Sequence, residues 1–131
     1  MQKTSRATKI IIRWIPAIMV MTVIFWASSQ PNYSFDEMQL VDIIIKKGGH
    51  FAGYFLLFLG FQRGFGKGFK WGLFLSILMT VVYAITDEYH QLFVHGRSGQ
   101  VSDILIDTAG ALLALICYKR HSLLRRWVHF E

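Results

Sequence analysis

The chain has 131 residues, of which 53% are hydrophobic and only 17% charged, and its mean hydropathy is positive. That length fits one domain, the wealth of apolar and aromatic residues excludes disorder, and a single cysteine, Cys117, excludes a disulfide scaffold. The net charge of +6 need not mean nucleic acid, because the basic residues sit between apolar blocks, a pattern that points to a membrane.

A membrane helix needs roughly 20 mainly apolar residues. The first such block runs from about residue 10 to 27, with an uncharged core from Trp14 to Trp26. The block as a whole, about 18 residues, exceeds the roughly 7–15 residues of a signal-peptide core, and Ala27-Ser28-Ser29 is a poor cleavage site, so an uncleaved anchor is expected. Further blocks cover about 49–65, 71–93 and 101–118, with Trp14, Trp26, Trp71 and Tyr118 near block ends, where amphipathic rings favour the interface. Four buried helices in so short a soluble chain would lack the polar surface to cover them. The pattern predicts an all-α integral membrane four-helix bundle, one domain over residues 1–131. Two shorter segments are expected along the interface. One is Phe35 to Lys47, with Phe35, Met38, Val41 and Ile45 at helical spacing. The other is residues 121–131, with Leu123, Leu124, Trp127 and Val128 on one face beside Arg125 and Arg126.

Lys and Arg placement sets the expected orientation. Lys3, Arg6, Lys9 and Arg13 precede the first block, Arg63, Lys67 and Lys70 separate the second from the third, and Lys119, Arg120, Arg125 and Arg126 follow the fourth. In a four-span chain these segments share one side, which places both termini in the cytoplasm. The glycines Gly64, Gly66 and Gly68 lack a phosphate-binding pattern and read as a turn on that side.

The other side carries the polar residues that a small membrane protein has least reason to keep, since a charge at the bilayer centre costs at least about 2.5–3.5 kcal/mol. Gln30 follows the first block, with Ser28 and Ser29 before it. Lys47, His50 and Tyr54 share one helical stripe. Ser76, Thr80, Tyr83 and Asp87 form another, continued by His90 and Gln91, with Glu88 beside it and Arg97 after it. Asp103, Asp107, Gly110, Ala111 and Ala114 form a third, whose small residues admit a close neighbour. These stripes are expected to converge on one pocket.

Two facing carboxylates with an imidazole can act as general acid and base when burial separates their pKa values. Asp87, Glu88, Asp103 and Asp107, with His50 or His90, can also bind a divalent cation, although no spacing singles out a metal. Arg97 and Lys47 suit a phosphate or carboxylate headgroup, while Tyr54 and Tyr83 can donate hydrogen bonds. The competing reading is a set of ion pairs that merely ties helices together, for instance Arg97 with Asp103 and Lys47 with Asp87.

The motifs resemble the VanZ-like family of small bacterial membrane proteins. The resemblance rests on Phe25 to Gln30, Lys47-Gly48-Gly49-His50 followed by Tyr54, Asp87-Glu88-Tyr89-His90-Gln91, Arg97, and Asp103 followed by Asp107 and Gly110. The family often has Asn where this chain has Asp107, and proline where it has His95. The resemblance implies an envelope role, with an association with reduced teicoplanin susceptibility, and no settled molecular activity. An acid/base or metal-assisted enzyme acting on a lipid or lipid-linked envelope molecule is the first functional expectation. It places His50, Asp87, Glu88, Asp103 and Asp107 in catalysis, and Lys47, Tyr54, Gln91, Arg97 and Gln30 around the substrate. A non-catalytic binder of an envelope lipid or lipoglycopeptide is the second, and a carrier the third, with little room for alternating access in four spans. The expected partners are the bilayer and such a lipid-linked ligand, not nucleic acid; the oligomeric state stays open.

Overall fold

A computed structural model describes residues 6–32 and 39–129. Five helices follow one another: α1 (Arg6–Ser28), α2 (Gln39–Phe65), α3 (Gly72–Gln91), α4 (Val101–Arg120) and α5 (Ser122–Val128), with no strand among the described residues. Three of them, α1, α3 and α4, are long and apolar enough to cross a membrane. The 20 residues of α3 or α4 reach about 30 Å, the thickness of a bilayer's hydrocarbon core. Their outward side chains are what a lipid solvent accepts: Val23, Phe74, Leu105 and Ile116 all point away from the protein.

The expected second span differs from the others. It lies within the 27-residue α2, which starts ten residues earlier than expected and does not match the apolarity of its neighbours. Its place explains the composition. α2 packs against all four other helices, and Tyr54, Leu57, Phe58, Leu59, Phe61 and Gln62 are buried by them. From Tyr54 onward α2 is enclosed by helices and meets little lipid, so Gln62 is tolerated there, whereas Leu40, Val41, Ile43, Ile44 and Ile45 at its start are exposed. The interfacial segment expected over 35–47 is corrected accordingly: Val41 and Ile45 belong to α2 itself, while Phe35 and Met38 lie outside the described residues.

The main helices run alternately up and down. Trp14 near the start of α1 packs on Phe61 and Phe65 near the end of α2, whereas Ser28 at the end of α1 meets Asp87 near the end of α3. Two contacts need glycine. A Cβ on Gly60 would sit 2.8 Å from the Cα of Ala17, so α1 and α2 touch backbone to backbone. A Cβ on Gly110 would sit 2.3 Å from the carbonyl oxygen of Phe51, so α4 lies directly on α2 one residue from His50.

At the basic end, Tyr118 is buried rather than interfacial. Its hydroxyl lies 2.7 Å from His129 Nε2, and Gln62 Nε2 donates to it at 3.4 Å. Ser76 donates in turn to Gln62 at 3.1 Å. The face expected on the tail is split: Val128 and Leu124 pack on the bundle, while Leu123 and Trp127 point outward. Arg63 fixes this docking by donating to the carbonyls of Trp127 and Val128.

Gly110→Ala is expected to destabilise the purified protein by about 1–3 kcal/mol, seen as a lower thermal midpoint, because it overpacks the α2–α4 contact. Gly48→Ala, with nothing within 4 Å of the new methyl, should leave the midpoint unchanged or slightly raised. A second expectation concerns pH. Burial, helped by the charges of Lys67, Arg13 and Arg63, holds His129 below the usual histidine value of 6.5. Neutral His129 therefore stabilises the folded tail fully above about pH 6.5, and the contribution is lost as pH falls through the lowered folded value. Protection of the α5 amides against hydrogen exchange, taken relative to the intrinsic rate at each pH, should fall on going from pH 7.5 to 5.5, and His129→Gln should flatten that response.

Candidate functional site

The polar stripes meet at the end of the bundle opposite the basic loops. His50, near the middle of α2, is placed by the Gly110–Phe51 contact so that its Nδ1 lies 3.6 Å from Asp107 Oδ1 and 3.9 Å from Asp87 Oδ2. Asp107 is completely buried, three residues before Gly110 on α4. Tyr54, one turn below His50 and also completely buried, holds its ring 6.2 Å from the imidazole. A recess of about 340 Å³ opens over this group, with His50, Gln91, Asp103, Asp107, Lys47 and Arg97 in its lining.

Each acid has a different set of neighbours. Asp87 Oδ2 accepts from Ser28 at 2.8 Å and from Gln91 at 3.3 Å. Glu88 accepts from Gln91 at 3.2 Å, and through its other oxygen from the backbone N–H of Gln100 at 2.9 Å, just ahead of α4. Gln91 thus clamps two carboxylates with one amide. Asp103 is held by Lys47 in a partly exposed ion pair. Asp107 has no hydrogen-bond partner on either oxygen, and His50 Nδ1, Tyr54 Oη and Asp87 Oδ1 are likewise buried without one.

The ion pairs that the sequence suggested are corrected by this geometry. Lys47 reaches Asp103 across the α2–α4 contact rather than Asp87, which belongs to the core behind His50. Arg97 takes carbonyl oxygens instead of Asp103: Nε donates to Gln30 O at 3.0 Å, Nη2 to Ala27 O at 2.9 Å and Nη1 to Gln91 Oε1 at 3.4 Å. It therefore ties the 92–100 loop to the end of α1. That loop turns at Gly96, whose φ of 73° suits glycine and whose position against Asn32 O leaves no room for a side chain.

Gln30 contributes mainly its carbonyl, since its side chain folds back to donate to Trp26 O. His90 stands aside from the carboxylates, stacked on Phe25 and 3.1 Å from Ser29. Tyr83 spends its hydroxyl on the carbonyl of Met21. His50, Glu88 and Asp107 each present a ligand atom within 4.8 Å of the others, a set that fits a divalent cation. Asp87 and Asp103 are not in that set. Ser28 was noted in the sequence as a polar helix end but not placed at the site; a serine beside a buried acid on another helix leaves no mark in spacing.

Comparison with known proteins gives one match. The family model described as VanZ/LLP1 matches residues 2–125. No curated protein matches the chain, and no solved structure does.

The sparse surroundings of Asp107 separate a working site from helix glue. Asp107→Asn is expected to leave the thermal midpoint of the purified protein unchanged or raised, because it removes a buried carboxylate whose one polar neighbour, His50 Nδ1, stands 3.6 Å away. A structural tie would behave oppositely, with a loss of about 3–5 kcal/mol on breaking the pair.

Proposed function

Because the chain belongs to the VanZ/LLP1 family, we propose that it is a multi-pass cell-envelope membrane protein that modifies a lipid or lipid-linked molecule at the recess around His50. In this reading all four long helices cross the bilayer, α2 shielded by the rest. The basic ends and both termini lie in the cytoplasm, and the recess faces outward.

The observation that supports it best is the gathering of under-satisfied buried groups from three helices: Tyr54 Oη, Asp87 Oδ1 and Asp107 Oδ2 have no hydrogen-bond partner, and His50 Nδ1 and Asp107 Oδ1 have only each other, at 3.6 Å. A protein that wanted only cohesion would have satisfied them more fully, since each unsatisfied buried group costs about 1–3 kcal/mol. A ligand, or a proton in transit, supplies the missing partner. His50 takes or gives a proton at the substrate, with Asp107 and Asp87 orienting the ring and stabilising its charged form. Glu88 and Asp107 with His50 offer the alternative of a bound divalent cation, which would polarise an oxygen of the substrate. Lys47 and Asp103 guard the rim, and Arg97 and Gln91 set the loop over it.

Lipid profiling of cells with and without the chain tests this. Expression should shift at least one membrane or lipid-linked species, and His50→Ala or Asp87→Asn, present at the same level and equally stable, should abolish the shift. An identical shift with both variants, or none with the parent chain, would overturn catalysis. Saturable ligand retention without product would then favour a binder. A change in teicoplanin susceptibility is expected to follow the same variants if the modified molecule is one that the antibiotic meets.

A further inference from the structure

The polar recess shares three residues, Lys46, His50 and Arg97, with a second hollow of a different character. This second hollow is an apolar groove of about 600 Å³ between α1 and α2. Met19, Val23, Ile24, Trp26 and Leu56 wall it, and Gly49 and Gly53 leave it open where side chains would close it. From Met19 to Gln30 the groove follows α1 for about 17 Å, close to half of a bilayer's hydrocarbon core of about 30 Å. One end is therefore suited to a hydrocarbon chain, and the other turns into a recess lined by charged groups.

Arg97 stands where the two hollows join. Its guanidinium has five N–H donors. Three are occupied by Gln30 O, Ala27 O and Gln91 Oε1, and no carboxylate pairs with it among the described residues. Two donors and a full positive charge remain for an anion, in the fork geometry that matches phosphate. Lys46, beside it, is held by Asn32 and Asp42 at the groove's mouth.

We propose that groove and recess together hold one amphiphile, a lipid with a phosphate-bearing head. Its chain lies between α1 and α2, and its phosphate meets Arg97, so the head enters sideways from the bilayer and reaches His50. This rests on the reading of the recess as the working site, and it adds the substrate class and the route of entry.

The glycines supply the test. A Cβ on Gly49 meets nothing within 4 Å, and the same holds for Gly48, which lines neither hollow. A side chain can therefore start at both positions without a clash, but only at Gly49 does it enter the groove. The probe is phosphatidylglycerol with a diazirine on one acyl chain, added to the full chain in nanodiscs and photolysed, with labelled residues mapped by mass spectrometry. Labelling at Met19, Val23, Ile24 and Leu56 should exceed that at Leu105 and Ile116, which face outward on α4 outside the groove, by about tenfold. Gly49→Leu should remove the excess and Gly48→Leu keep it. Arg97→Gln, or a diacylglycerol probe that lacks phosphate, should reduce it about tenfold.

Even labelling of all lipid-facing residues, or undiminished groove labelling in Gly49→Leu, would overturn the proposal. The outcome is separable from that for catalysis. Asp87→Asn, at a residue that lines neither hollow, should keep the labelling pattern while the lipid shift disappears. Groove labelling without any lipid shift leaves the binding site standing alone, and a lipid shift that survives Gly49→Leu leaves the recess and removes the groove.

Discussion

The candidate site depends on one close approach between backbones. Gly110 lets α4 rest on the carbonyl of Phe51, and no other residue fits there without a shift. Phe51 follows His50, and Asp107 precedes Gly110 by one helical turn, so the contact that joins α2 to α4 also brings imidazole and carboxylate face to face. Without it the two helices would stand further apart by about the width of a methyl group. Asp107 would then face a gap, and Lys47 would have further to reach to Asp103.

Around that contact the two ends of the bundle are built on different terms. At the basic end His129, Tyr118, Gln62 and Ser76 satisfy one another in a chain, and of the buried polar atoms there only Arg63 Nε lacks a partner among the described residues. At the other end Ser28, Gln91 and Gln100 satisfy only some of the acid oxygens, and Asp107 has only His50 Nδ1, at 3.6 Å. In a low-dielectric interior that contrast is large, because a buried carboxylate with one long contact recovers little of the hydration it forfeits. The same chain can evidently complete a network, so the incomplete one stands out as the place where something else completes it.

Much of this was legible in the sequence. Apolar length and the separation of Lys and Arg from Asp and Glu marked the helices, and helical spacing put His50 with Tyr54, and Asp107 with Gly110, on shared faces. Partner choice was not legible. Spacing says which face a residue occupies but not how far a neighbouring backbone lies, so the competing ion-pair reading offers Arg97 a carboxylate where the end of α1 supplies carbonyls. The same reading offers Lys47 Asp87 where Asp103 is within reach. The tail showed a related limit: Leu123 and Val128 were assigned one face, but the short α5 turns Val128 under the bundle and Leu123 away from it. The enclosure of α2 from Tyr54 onward by all four other helices is likewise not legible in spacing, because it depends on how the helices pack.

The most direct test of the central claim, that His50 and Asp107 face each other in the bundle, is nitrogen-15 NMR of the histidine-labelled protein with and without Asp107→Asn. The ring nitrogens of His50, assigned by the loss of their signals in His50→Gln, should move markedly on that substitution, while those of His121 and His129 at the far end stay in place. A His50 signal that ignores the loss of the Asp107 charge would contradict the claim.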